Sequence, residues 1–406
     1  ASPDPGRACF VMLHYAPDAS NLDLDTYLSR TPIHRALPAA LALRGYDVHL
    51  VHLWPHDAHF VRDGVTYHFI SEPTPLRNLA RLTAAVRHGD EASYLPAVRA
   101  IRLIRALRPD VIHFHGCTLT LNLFLMTQLL RGLDPVITAH YHGGYPSRSR
   151  WVGALQRRGF ARVNRFFFST ASHAMPFLDT GLIRDPTQVV ELMETSSTFS
   201  PRDRESSREL TGMRGEPVIL SVGRLHPVKD PLTMLHGFER VLGEWPRAEL
   251  YLYYTSQEML PEIQRYLDGR PSLCAHVHLR GRAEPEEMEA IYNSADFLLQ
   301  ASLREFSGCA LLEAMACGVI PVVTDIPSFR AMTAHGRFGS LFPVGNADAL
   351  AAKVLTYSAD YACQYRREIR SHFERALSFE QMAECLDETY SALRQGQGQA
   401  VELVAS

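Results

Sequence analysis

At 406 residues the chain is long enough for about two to three domains, and a hydrophobic content of 46% supplies ample cores. A formal net charge of -3 argues against a general binder of nucleic acid or other polyanions. Seven cysteines with no C-x-x-C pair indicate reduced thiols in a cytoplasm, no run of about 18 apolar residues predicts a membrane span, and the opening A-S-P-D-P-G-R lacks the apolar core of a signal peptide.

The apolar run 9–14 predicts a buried strand and 46–53 a second. Between them lies a helix ending at Arg44-Gly45, in which Pro38 should introduce a kink or mark the true start. Strands follow at 110–115, 135–140 and 166–169. Their alternation with helices predicts a parallel sheet covered on both faces. This first domain is placed at residues 1–195, and the polar, charged stretch 196–216 is expected to be a linker. A second series begins at 217–222 and runs through 249–254, 275–279, 296–300 and 319–324, giving a second domain at 217–375. The fold class is therefore α/β, with two doubly wound Rossmann-like domains. The segment 376–393 is an amphipathic C-terminal helix, and the Gln/Gly-rich tail 394–406 is expected to be flexible.

Strand 217–222 runs into G-R-L-H-P-V-K-D, Gly223 to Asp230. Arg224 and Lys229 then stand at the carboxyl edge of a parallel sheet, where ligands bind in such folds, and two cations there can neutralise a diphosphate. Lys229 and Lys353 are the only lysines in a chain that otherwise uses arginine, so a compact ammonium at Lys229 has a chemical reason to be kept. Residues 301–324 read as a loop, a short helix and a buried strand. Glu305 lies on the loop and Glu313 within the helix. Between them Ser307 is the expected N-cap, and Gly308 lets a ligand approach the backbone. The free amides of a helix N-terminus suit a phosphate.

In the first domain His113 and His115 share one strand face, and His140 and His142 repeat the pattern after the next strand. Four histidines at adjacent strand ends are also a candidate zinc or copper site, although no Asp, Glu or Cys completes the set at an obvious spacing. Arg99, Arg102, Arg105 and Arg108 step by three along a predicted helix, either as a solvated face or as a peripheral contact with anionic lipid. Arg148, Arg150, Arg157 and Arg158 follow the His140 loop, where they favour an anionic acceptor or form ordinary surface charge.

The run Glu305 to Glu313, with Gly318 and P-V-V behind it, resembles the E-x7-E motif of the retaining glycosyltransferases of family four, which have the GT-B fold. Gly223 to Asp230 resembles that family's G-R-x-x-x-x-K-[GD]. Tyr292, Ala295, Asp296 and Ser302 match its Y-x-x-A-D-x-x-x-x-P-S, with Ala301 where proline is usual. The resemblance implies two domains facing a central cleft and a C-terminal helix packed back on the first of them. It implies that Arg224 and Lys229 hold the donor phosphates, that Glu305 holds sugar hydroxyls and Glu313 the ribose, and that Gly223, Arg282, Phe306, Ser307 and Gly308 complete the donor site. His115 would touch the donor sugar, so the catalytic set is His115, Arg224, Lys229 and Glu305. His113, His140, Arg148 and Arg150 fall on the acceptor side. The donor would be a UDP- or GDP-linked sugar and the acceptor a small molecule or glycan, with no metal and no further cofactor. Two departures stand out: residues 14–21 lack the family's glycine pair, and Met193-Glu194-Thr195-Ser196 replaces its N-G-V-D. Both point to an unusual acceptor. A GT-B-fold sugar-nucleotide epimerase, a histidine-cluster metalloenzyme and a non-catalytic nucleotide-sugar-binding protein are the competing functions.

Overall fold

The computed structural model describes residues 6–15, 22–76, 78, 95–357 and 359–396. The chain divides into two compact units, Ala1–Thr195 with Phe379–Ser406, and Ser196–Ser378.

The first unit holds β1 (Arg7–Tyr15), β2 (Asp47–Leu53), β3 (Ala58–Arg62), β4 (Val65–Ile70), β5 (Val111–His115), β6 (Val136–His140), β7 (Arg165–Phe168) and β8 (Val189–Glu191). They form one sheet in the order β3-β4-β2-β1-β5-β6-β7-β8. Every pairing is parallel except β3 with β4. Central strands such as β5 are buried at every position, as a sheet covered on both faces requires. The β3–β4 pair was missed in the sequence although its signal is there. Asp63-Gly64 is a two-residue turn with φ of 52° and 75°, the backbone that hairpin turns need.

Pro38 is the third residue of the helix Ala36–Ala42. There its missing N–H removes no intrahelical bond, so it marks the start and makes no kink. The helix Phe379–Arg394 belongs to this unit and packs on Ala36–Ala42. Phe379, Met382, Leu386 and Tyr390 join Phe10, Leu41 and Val48 in one core, and Tyr46 Oη donates to Asp387 Oδ1 at 2.9 Å. On the helix Val98–Leu107, Arg99 is engaged by Asp57 and Arg105 by the Leu129 carbonyl, so two of the four stepped arginines have partners inside the unit.

The second unit holds β9 (Val218–Gly223), β10 (Glu249–Tyr254), β11 (Val277–Gly281), β12 (Phe297–Gln300), β13 (Ile320–Thr324) and β14 (Ser340–Phe342). All are parallel, in the order β11-β10-β9-β12-β13-β14. The order reverses between β9 and β12, which opens a crevice at their carboxyl ends. The stretch 196–216 is not a bare linker. It carries the helix Arg204–Thr211, capped by Asp203 and closed on Gly212 at φ 68°. Its charges are structural: Arg204 and Arg208 reach the two oxygens of Asp296 at 2.5 and 2.7 Å, and Asp296 Oδ2 also accepts from Val218 N at 2.8 Å. The tail beyond residue 396 and the glycine-free loop at 16–21 lie outside the described residues.

Candidate active site

The crevice of the second unit holds a cavity of about 410 Å³, within the range of small-molecule sites. β9 delivers Gly223 to its wall. The chain then turns through Pro227–Lys229 to Asp230, which caps the helix Pro231–Glu244 by accepting from Thr233 N. That turn aims Lys229 back across the crevice, where its Nζ is ion-paired with Glu305 Oε1. Ser302 Oγ donates to the same oxygen at 2.7 Å, and Leu303 N donates to the Val228 carbonyl at 2.8 Å. The two loops that carry the cation and the acid are thus tied backbone to backbone.

Of the donor-side residues singled out in the sequence, Gly223, Arg224, Lys229, Arg282, Ser307, Gly308 and Glu313 line this cavity. Glu305 reaches it through Lys229, and Phe306 does not line it. Ser307 is not the N-cap. Gly308 occupies that position before the helix Cys309–Ala316, with no side-chain cap. The Ser307 hydroxyl instead faces the cavity, buried and without a hydrogen-bond partner. Gln300, overlooked in the sequence, does the same from the end of β12. Its Nε2 donates to the Val222 carbonyl at 3.3 Å while its Oε1 is buried and unpaired. The rule that ligands sit where strand order reverses could have found it, since Gln300 ends the strand beside Gly223.

Glu313 is set by burial. Its carboxyl is pushed up from 4.5 to about 7 by loss of water, against the opposing hydrogen bond from Tyr292 Oη at 2.6 Å. Near neutral pH it therefore exchanges between acid and carboxylate, and can accept from or donate to a ligand hydroxyl. Gly308 has an ordinary φ of -94°, so conformation does not demand glycine there; packing does. A Cβ would stand 2.7 Å from Phe329 Cε1, on a ring that is fully buried. Gly308→Ala is expected to destabilise the second unit by about 1–3 kcal/mol and to weaken nucleotide binding at least tenfold. Urea melts and titration calorimetry check this; wild-type affinity in the variant would show that the helix tip does not contact the ligand.

In the first unit His113, His115 and His140 are at most 1% exposed. His140 is the last residue of β6. His113 Nε2 and His140 Nδ1 are 3.2 Å apart, and His115 Nδ1 meets His142 Nε2 at 2.8 Å. Burial holds His113 and His115 well below 6.5 and brings His140 down to about 4, so all three are neutral imidazoles. Arg148 and Arg150 are exposed, the latter as the first residue of the helix Arg150–Phe160.

Comparison with known proteins agrees with this architecture. Residues 216–360 match the model of "Glycosyl transferases group 1", and residues 35–191 that of "Glycosyltransferase Family 4". Over 201 residues the chain is 27% identical to a D-inositol 3-phosphate glycosyltransferase of Nocardia farcinica, covering 48% of this chain and 44% of that protein. Over 237 residues it is 25% identical to the phosphatidylinositol N-acetylglucosaminyltransferase GPI3 subunit of Saccharomyces cerevisiae, covering 58% and 52%. The chain spans about half the length of the curated relatives it matches. Among solved structures, sucrose-phosphate synthase of Thermosynechococcus elongatus superimposes with a TM-score of 0.66 at 17% identity, covering 96% of this chain and 99% of that one. Anabaena HepE in complex with UDP and glucose does so at 0.66 and 14%, covering 95% and 100%. With the fold shared along its length and both halves matched, the chain belongs to the family-four glycosyltransferases of GT-B fold.

Proposed function

We propose that the chain is a retaining glycosyltransferase that moves a sugar from a nucleotide-diphosphate sugar to an acceptor hydroxyl. The observation that carries this reading is the convergence of Arg224, Lys229, Glu313 and the tip of the helix Cys309–Ala316 on one cavity at the strand-order reversal. The difficult event is departure of the diphosphate from the anomeric carbon. Arg224, Lys229 and the first-turn amides of that helix face the place where its charge grows, so they stabilise the transition state more than the bound donor. Glu305, held by Lys229 and Ser302, accepts from donor sugar hydroxyls, and Glu313 from the ribose. Retention follows from attack on the face the diphosphate leaves, with a phosphate oxygen taking the acceptor proton; no enzyme nucleophile is needed. His115 touches the donor sugar in this scheme.

UDP is the favoured nucleotide, since HepE was solved with UDP and glucose. A phosphate-bearing acceptor is favoured by the names of the two curated relatives and by the exposed Arg148 and Arg150. Among the described residues no helix is long and apolar enough to cross a membrane. We place the reaction in the cytoplasm, in keeping with the free cysteines found among those residues.

A thermal-shift panel with UDP, GDP, ADP, CDP and TDP tests the donor site. A ligand near 100 times its Kd should raise the melting temperature by about 5 °C or more, and Glu305→Ala should abolish transfer from the sugar-linked form of that nucleotide. If no nucleoside diphosphate shifts the melt, the donor-site assignment fails.

A further inference from the structure

Strand β12 reads Phe297-Leu298-Leu299-Gln300, three buried apolar side chains followed by a buried amide. A leucine in the last position would fill the space with no polar group to satisfy. Gln300 instead keeps 6% of its exposure there and lines the donor cavity beside Val222 and Gly223. Given the donor site proposed above, we infer that Gln300 determines specificity for the transferred sugar, its Oε1 accepting a hydrogen bond from a sugar hydroxyl or amide N–H.

The neighbour of the carboxamide fixes which way it faces. A backbone carbonyl can only accept, and Gln300 Nε2 donates to that of Val222 at 3.3 Å, so the oxygen is the end turned to the cavity. That oxygen is buried and has no hydrogen-bond partner. A buried acceptor without a partner is costly, and a ligand that donates to it recovers the loss. An ionised phosphate is not that ligand group, since its oxygens also only accept. The ribose hydroxyls are met by Glu313 in the proposed scheme. The transferred sugar is left, and it offers more donors than Glu305 can take, because Lys229 and Ser302 already occupy Glu305 Oε1. Position agrees with this. Gln300, Lys229 and Ser302 share a small hollow of about 30 Å³ behind the main cavity, which Arg282, Ala283 and Met288 on the cavity wall do not line. Gln300 thus stands on the side where Lys229 and Ser302 hold the acid set against the sugar. A buried polar atom that must be met rejects a sugar lacking the matching donor.

The test measures binding of UDP, UDP-glucose and UDP-N-acetylglucosamine to the full chain by titration calorimetry. Gln300→Met keeps the length of the side chain and removes the acceptor. It should leave the Kd for UDP within about twofold and weaken at least one of the two sugar forms about tenfold. Analogues of that sugar form lacking one hydroxyl, or the acetamido group, then identify the group that is read: its loss weakens wild type but adds nothing in Gln300→Met. A crystal structure of the wild type with the same UDP-sugar should place that group within about 3.2 Å of Oε1, a result that stands even if the variant does not fold. Equal losses for UDP and its sugar forms, no loss for any of them, or a water on Oε1 with no sugar atom in reach overturns the inference and leaves the donor site intact. Failure of wild type to bind any of the three removes the UDP donor site itself, a different result from a site that binds UDP but ignores the change at Gln300.

Discussion

Lys229→Ala is expected to lower kcat/KM for sugar transfer about 10²–10³-fold, the loss seen when one preorganised donor to developing charge is removed. The ammonium stands at the cavity wall and is ion-paired with Glu305. Its removal takes a positive charge from the departing diphosphate and also frees the acid that it orients. Stability should change less than activity. The Lys229 and Glu305 side chains keep 23% and 11% of their exposure, and Ser302 continues to hold the carboxylate. Leaving that carboxylate without its cation costs about 1–3 kcal/mol, and the variant should remain folded by circular dichroism. Lys229→Arg keeps the charge but replaces a compact ammonium with a planar fork, so it should recover only part of the rate. Initial-rate kinetics on both variants decide the matter, and near-normal turnover in Lys229→Ala would remove Lys229 from the donor site.

Acidification should destabilise the first unit progressively as pH falls from 6.5 to about 5. Burial pushes His52 down to about 3 and His68 and His140 to about 4, and holds His34, His113 and His115 well below 6.5. A histidine with a depressed folded pKa binds its proton more readily when unfolded, so stability is full above 6.5 and is withdrawn as pH falls toward the folded value. By pH 5 the depressions at His52, His68 and His140 each correspond to about 2 kcal/mol. Several together equal the roughly 5–15 kcal/mol that holds a whole domain. Trp54 lies 6.1 Å from His52, so its fluorescence reports the event directly. Urea midpoints that stay constant from pH 8 to pH 5 would mean that these imidazoles are not buried as neutral groups in solution.

Local signals were legible in the sequence and remote ones were not. Strands β1, β2, β5, β6, β9, β10, β12 and β13 announced themselves as apolar runs, and the Gly223–Asp230 turn and the Glu305–Glu313 spacing each lie within one short stretch of chain. The helix Arg204–Thr211 was hidden because its arginines look like solvated linker until Asp296, about 90 residues on, is seen between them. The near-neutral carboxyl of Glu313 needs Tyr292 and the surrounding core, neither of which a spacing of two glutamates conveys. His52 joins the other imidazoles only because β1 pairs with β2 on one side and β5 on the other, and His34 meets it from the turn Pro32–His34. Ser307 misled for the opposite reason: a serine before a helix is the commonest cap, yet here the hydroxyl turns into the cavity and a glycine takes the position.

The last helix, Phe379–Arg394, lends Phe379, Met382, Leu386 and Tyr390 to a core whose members outside that helix were synthesised more than 180 residues earlier. On the ribosome the first unit must wait with that groove uncovered while the whole second unit emerges and folds. The order of translation is therefore not the order of completion: the half made first is finished last, and a nascent chain halted short of Phe379 presents a bare apolar seam to the chaperones around it.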